Sequence, residues 1–375
     1  MRSIFITGIG GFIGKRLGER ALASGWSVTG VDLSIESVAG ARRIGLDALV
    51  GDVTNAARMR ELVANVDVVV HTAALVRESG SMDVFRRINV GGSVAVATAA
   101  RDAGVRTFVQ LSSVMVYGFT YPENVTEAGP MRGEGNPYCQ TKIESEAAVL
   151  ALGEPRKLGV IVIRPGDVYG PGSVPWIARP IQMMRRGLLV VPSGGGVINH
   201  VYVDNLVDGI FLAVEREAHG SIFNVTDGVA VTFERYFALL AARAGSKPPR
   251  TLPAPLLLGA ASVVGAMHAC GITKTEASAQ TIRYLMRPHA YSIDKARREL
   301  GYSPRIGLDA GLSLTQSFID DCVANDRAPA RVPHRRRSSS PRHKSIAELR
   351  ERSEPAEGGG GAVAKRAAGA RPPDS

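Results

Sequence analysis

The chain opens on a short apolar run, Ser3-Ile4-Phe5-Ile6, and passes at once into Thr7-Gly8-Ile9-Gly10-Gly11-Phe12-Ile13-Gly14. A strand that turns on glycines and continues as a helix narrows the choice of folds sharply, because the next strand must then come back parallel to the first. Each glycine has its own reason to be there. Gly8 allows the tight turn, Gly11 lets the backbone approach a pyrophosphate, and Gly14 lets the helix lie close to the strand. The free N–H groups of the first helical turn, which begins with Phe12 and Ile13, then face the phosphate charge.

The next 150 residues fit that start. Short apolar runs at 3–7, 26–32, 47–51, 66–71, 106–112 and 159–163 alternate with helical patterns. This is the sequence signature of βαβ units and a parallel sheet. Val66-Asp67-Val68-Val69-Val70 and Val160-Ile161-Val162-Ile163 are almost wholly β-branched, as strands covered on both faces should be. Helical spacing predicts a helix over 13–24 and another over 89–103, the second closed by Gly104. The expected fold is α/β: a Rossmann-like, doubly wound parallel sheet with a smaller C-terminal substrate-binding lobe. Residues 1–170 form the nucleotide-binding core, and 171–326 form the lobe, whose strand at 220–225 and later helices return to the core.

Asp32 ends the second strand, 18 residues after Gly14. A carboxylate there accepts from the adenosine ribose hydroxyls and repels a 2′-phosphate, and Leu33-Ser34-Ile35 supplies no Arg to receive one. The cofactor implied is NAD rather than NADP. Asp52, with Val53 beside it, ends the third strand. It either accepts from the adenine amino group or caps the following helix with help from Thr54. Ala73 and Ala74, after the fourth strand, are small enough for a cofactor to pass over the sheet edge.

Tyr138 and Lys142 stand one helical turn apart behind Asn136 and Pro137, which read as the cap and first residue of their helix. A free tyrosine, with a pKa of about 10, is a poor base at neutral pH. An ammonium one turn away favours the phenolate, so Tyr138 can take a hydroxyl proton while hydride leaves the same carbon. Lys142 can also hold the nicotinamide ribose. Ser113, at the end of the fifth strand, is placed to hydrogen-bond the substrate oxygen.

The basicity lies at one end of the chain. From Arg327 onward, twelve Lys and Arg face five Asp and Glu, so residues 327–375 carry +7 of the net +10. That segment is rich in Arg, Ser, Pro and Gly and is expected to be a disordered tail. The body, with +3 and 6% aromatic residues, is not a nucleic-acid binder. The three cysteines, Cys139, Cys270 and Cys322, match no metal spacing and fit a reducing cytoplasm. No metal site is expected. Residues 254–267 are strongly apolar, but too short and too proline-flanked to span a membrane. They read as a buried or substrate-lining helix, with peripheral membrane contact as the alternative.

With these pieces in order, the chain resembles the NAD-dependent epimerase/dehydratase family, the extended branch of the short-chain dehydrogenases. The matching motifs are TGIGGFIG (7–14), HTAA (71–74), NVGGS (89–93), LSSVMVYG (111–118), YCQTK (138–142), RPGDVYGPG (164–172), HVYVDN (200–205) and FNVTDG (223–228). They cover about residues 1–315. The resemblance implies catalysis by Ser113, Tyr138 and Lys142, with Ser113 chosen over Ser112 by counting back from Tyr117. It carries over Asn89, Pro165 and Val168 to the cofactor side, and it implies a homodimer formed through a helix pair.

Val114 and Met115 stand where the family's dehydratases carry an Asp-Glu pair, so dehydration is disfavoured. The Arg that clamps a nucleotide-sugar diphosphate corresponds to Ile198. Motif detail is nearest the 3-beta-hydroxysteroid/sterol dehydrogenase branch. The implied reaction is oxidation or reduction of a secondary alcohol or ketone on an apolar, sterol- or lipid-like small molecule. A nucleotide-sugar 4-epimerase is the alternative, with Arg179, Arg185 and Arg186 as substitute cations. A non-enzymatic NAD-sensing regulator is a third reading, weakened because both Tyr138 and Lys142 are present.

Overall fold

The computed structural model describes residues 2–77, 80–269 and 279–327. The early pattern becomes β1 (Ser3–Thr7), β2 (Ser27–Asp32), β3 (Asp47–Val50), β4 (Val68–His71), β5 (Thr107–Leu111) and β6 (Gly159–Pro165). Later come β7 (Asp167–Tyr169), β8 (Val190–Ser193), β9 (Val197–Ile198), β10 (His200–Tyr202), β11 (Ile222–Val225), β12 (Val231–Thr232) and β13 (Arg250–Pro253).

Seven of these form one sheet in the order β11-β6-β5-β4-β1-β2-β3, every neighbouring pair parallel. The chain builds outward from β1 to β3, then returns to place β4 on the other side of β1. The crevice beyond the carboxyl ends of β1 and β4 is therefore the switch point, where ligands of such sheets bind.

Alternation along the strands makes two apolar layers. Ile4, Ile6, Val68, Val70, Val109 and Ile161 face Leu17 and Ala21 of the helix Phe12–Ala23, and Leu206 and Ile210 of Val203–Glu215. Phe5, Val69, Phe108, Val160 and Val162 point the other way, onto Val96, Ala97 and Ala100 of Gly92–Asp102. Covering both faces is what the β-branched runs require. A separate core holds the remaining elements: Tyr169, Ile177, Ile181, Val191, Ile198, Tyr236, Leu240 and Leu312. Around it, β7 pairs with β10, β9 with β12 and β8 with β13.

Three local expectations change. The helix expected from residue 89 starts earlier, as a π-helical turn, Arg86–Gly91, that runs into Gly92–Asp102 before Gly104 closes it at φ 72°. Asn89 sits inside that turn, buried, instead of opening a helix. The helix after β3 is Ala56–Leu62, and its cap is Asn55, which accepts from the Arg58 N–H, not Asp52.

The third change concerns the apolar segment 254–267, which lies within the helix Ala254–Ala269 but is not buried as expected. Leu256 and Val263 are 63% and 61% exposed. Among the described residues, no helix is long and apolar enough to cross a membrane. Cys270 and the tail beyond Arg327 lie outside the described residues.

Candidate active site

The glycine turn is built as its sequence requires. Gly8 sits at φ 71° and donates to the Val31 carbonyl at 2.7 Å, joining the turn to β2. A Cβ on Gly14 would come 2.2 Å from the Gly8 carbonyl oxygen, so the helix approaches the strand as closely as glycine allows. A Cβ on Gly11 would meet only that same oxygen, at 3.2 Å, and otherwise open space. Gly11 is also the cap of the helix Phe12–Ala23, and no side chain caps the helix. Its first N–H groups are thus free to meet phosphate, a cradle that fits the dinucleotide.

Asp32 reaches back over this turn. Its carboxylate accepts from the Gly10 N–H at 3.2 Å and the Ser34 N–H at 3.0 Å, which fixes it at the end of β2. Asp52 is exposed and accepts from the Thr54 N–H at 2.9 Å, while Val53 is buried against Gly92. Ala73 and Ala74 are half-buried, and the Ala73 N–H donates to the Thr7 hydroxyl at 3.3 Å. Asn89 ties down the loop after β4: it accepts from the Leu75 N–H at 2.7 Å and donates to the Leu75 carbonyl and the Thr141 hydroxyl. Pro165 ends β6 and is buried, whereas Val168 is half-buried between the sheet core and the second core.

The structure brings Ser113, Tyr138 and Lys142 together. Asn136 caps the helix Pro137–Leu150 by accepting from the Tyr138 and Cys139 N–H groups, which sets the first turn. Ser113 follows β5 and starts a short 3₁₀ turn, accepting from the Met115 N–H at 3.1 Å. Ser113 is the polar neighbour that acts on the Tyr138 phenol. The Lys142 ammonium lies 5.7 Å from the centre of the Tyr138 ring and donates to the Leu111 carbonyl at 2.7 Å. Burial pushes the Tyr138 phenol up, and the neighbouring Ser113 opposes this. Burial also pushes the Lys142 amine down to about 8, against the pull of Glu146.

Ser112 has a different job. Its hydroxyl donates to the buried Glu146 carboxylate, whereas the Ser113 hydroxyl accepts from the Met115 N–H of the next turn. Glu146 is the residue the sequence reading missed. It pairs with Arg164 at 2.6 Å, both side chains almost fully buried, and Arg164 goes on to donate to the Tyr117 hydroxyl at 2.8 Å. The available signal was spacing: Glu146 stands one turn beyond Lys142 on the same helix face.

Arg185, Arg186 and Arg287 have carboxylate partners, whereas Arg179 and Arg283 are exposed. Ile198 is fully buried in the second core. Arg185 and Arg186 both reach Asp326, at 3.0 and 3.5 Å. Arg287 is fully buried and pairs with Asp167 at 2.7 Å. Phe119, Thr120, Glu134, Arg283, Met286 and Pro288 line a cavity of about 370 Å³.

The chain is similar to known proteins along most of its length. A ketoreductase of Stigmatella aurantiaca, acting on a 4-hydroxy-2-methyl-3-oxo-4-farnesyl-3,4-dihydroquinoline-1-oxide, is 28% identical over 337 residues, 88% of this chain and 99% of the relative. A 3-beta-hydroxysteroid dehydrogenase of Mycolicibacterium neoaurum is 28% identical over 349 residues, 87% and 95% of the two chains. The solved structure of MoeE5 with UDP-glucuronic acid and NAD superposes with a TM-score of 0.69 at 25% identity, covering 85% of this chain and 99% of that one. Residues 4–226 match the pattern of the NAD dependent epimerase/dehydratase family, and the chain is an NAD-dependent enzyme of that family.

Proposed function

We propose that the protein transfers hydride between NAD and a secondary alcohol or ketone on an apolar, sterol- or lipid-like small molecule, with Ser113, Tyr138 and Lys142 handling the proton. The observation that carries the chemistry is the Tyr138 phenol with Ser113 acting on it and the Lys142 ammonium 5.7 Å from its ring.

NAD, when bound, supplies the hydride acceptor or donor. Gly8, Gly11, Gly14 and the first turn at Phe12 and Ile13 would hold its pyrophosphate, and Asp32 its adenosine ribose. Asp52, Val53, Ala73, Ala74, Pro165 and Val168 would flank it, and Asn89 would act by fixing Leu75. In reduction, the raised phenol of Tyr138 keeps its proton until the substrate oxygen can accept it. Ser113 steadies that oxygen as charge develops. In oxidation the same proton returns to Tyr138, and Lys142 holds the nicotinamide ribose and favours the phenolate.

The substrate class rests on charge. A diphosphate needs fixed cations; Ile198 stands at the place of the family's Arg, and Arg185, Arg186 and Arg287 have carboxylate partners, which leaves the exposed Arg179 and Arg283 to meet one. The quinoline ketoreductase and the steroid dehydrogenase support an apolar substrate. The nucleotide sugar in MoeE5 supports a 4-epimerase as the second reading. The reading also takes the enzyme to be a cytoplasmic homodimer.

The test is spectroscopic. NADH should form from NAD and a 3-hydroxysteroid, and UDP should leave the melting temperature unchanged. Micromolar UDP binding without net NADH release would reverse the assignment.

A further inference from the structure

The helix Ala254–Ala269 carries no Asp, Glu, Lys or Arg. Leu252 just before it, and Leu256 and Val263 within it, are all exposed. Pro255, Gly259, Ala260 and Ser262 are exposed as well, so the open face from 255 to 263 is apolar or small. Buried Ala261 marks the side turned inward. A helix that is apolar on its solvent side has an unsatisfied face.

Charge identifies what covers it. Lys247 and Arg250 lead into the helix and are exposed, as is Arg283 on the neighbouring helix Ala279–Leu285. Across 247–269 and 279–283 the sequence holds Lys247, Arg250 and Arg283 and no Asp or Glu. An apolar helix rimmed by cations complements an anionic lipid headgroup layer. A second copy of the chain fits less well, since one face of a helix about 24 Å long falls far short of the roughly 800 Å² per partner of a stable interface.

Position adds a purpose. The helix packs against Ala279–Leu285. That second helix and the residues after it supply Arg283, Met286 and Pro288 to the 370 Å³ cavity. Asn136, the cap of the helix carrying Tyr138, donates to Gln280 of the same second helix at 2.9 Å.

We infer that Ala254–Ala269 docks in the plane of an anionic phospholipid surface, with Leu252, Leu256 and Val263 inserted and Lys247, Arg250 and Arg283 on the headgroups, so that a lipid-dissolved substrate reaches the cavity without crossing water. The delivery half of this inference rests on the proposed apolar substrate; the docking half does not.

The full-length protein is floated with phosphatidylcholine vesicles, with and without phosphatidylserine, as wild type and as Leu256→Glu/Val263→Glu. Wild type should bind the phosphatidylserine vesicles at least tenfold better than phosphatidylcholine alone. The double variant should lose at least tenfold of that binding while keeping its NAD affinity and melting temperature.

Absence of wild-type binding overturns the inference. So does binding unchanged in the variant, which would assign it to the basic tail, and so does a variant that turns a dimer into a monomer. Turnover of a water-soluble 3-hydroxysteroid without vesicles is measured in parallel. If turnover fails while docking holds, only the substrate reading falls.

Discussion

The Lys142 ammonium lies 5.7 Å from the centre of the Tyr138 ring, yet its hydrogen bond goes to the Leu111 carbonyl at 2.7 Å. The lysine therefore ties β5 to the helix Pro137–Leu150, while burial pushes the Tyr138 phenol up. Tyr138→Phe should reduce turnover by several orders of magnitude with NAD affinity nearly unchanged, because only the exchangeable proton is removed. Ser113→Ala should cost about 10²-fold in kcat, the loss of one donor to the developing charge. Steady-state kinetics beside NAD titration checks both, and near-normal turnover by Tyr138→Phe would refute the mechanism.

The buried pair of Glu146 and Arg164 underlies the same helix. Removing one partner strands a charge in the interior, so Glu146→Met should lose about 3–5 kcal/mol in urea unfolding. Arg164→Met added to it should recover a large part of that loss. A double variant as unstable as the sum of the two singles would show that the charges are independent.

Much of this architecture was readable from local pattern. The Gly8 turn, the alternation of Ile4, Phe5 and Ile6, and the Asn136 cap each follow from neighbouring residues, and each lies where its pattern put it. Ser113 could be separated from Ser112 by counting from Tyr117. What escaped notice depends on distant parts of the chain: Glu146 gains its meaning from Arg164 on β6, and Arg287 from Asp167. Composition identified 254–267 as apolar but could not tell which neighbours would cover it, and Leu256 and Val263 are exposed.

His71, at the end of β4, is buried beside Lys142, and burial pushes its pKa down to about 3 from an ordinary 6.5. The unfolded chain then binds a proton between these values that the folded chain refuses. Stability contributed here is present above pH 6.5 and is lost as pH falls toward 3. Between pH 7 and pH 5 the loss should be about 2 kcal/mol. His71→Asn should unfold in urea with that much less pH dependence over the same interval, whatever its stability at pH 7. An identical slope in wild type and variant would clear His71 of the role.

Asp32 holds its carboxylate over the glycine turn through Gly10 and Ser34. A 2′-phosphate brought there meets a fixed negative charge and no arginine among residues 33–35. NADH should bind at least tenfold tighter than NADPH, and Asp32→Ala should narrow the gap, mainly by weakening NADH. Fluorescence titration of both cofactors decides it, and equal affinities in the wild type would remove Asp32 from cofactor choice.

Gly11 and Gly14 should fail in different ways when given side chains. At Gly14 a Cβ would stand 2.2 Å from the Gly8 carbonyl and 3.0 Å from the Thr72 hydroxyl, so the helix Phe12–Ala23 must move off β1. Gly14→Ala should therefore lower stability by about 1–3 kcal/mol, the usual cost of overpacking, along with cofactor binding. At Gly11 the Cβ meets only the Gly8 oxygen at 3.2 Å, and a side chain extends into the space above the helix N-terminus. Gly11→Val should leave the melting temperature within a few degrees of wild type and abolish NAD binding, because the isopropyl group fills the place of the pyrophosphate. If instead Gly11→Val bound NAD normally, the phosphates would have to lie elsewhere than over this turn.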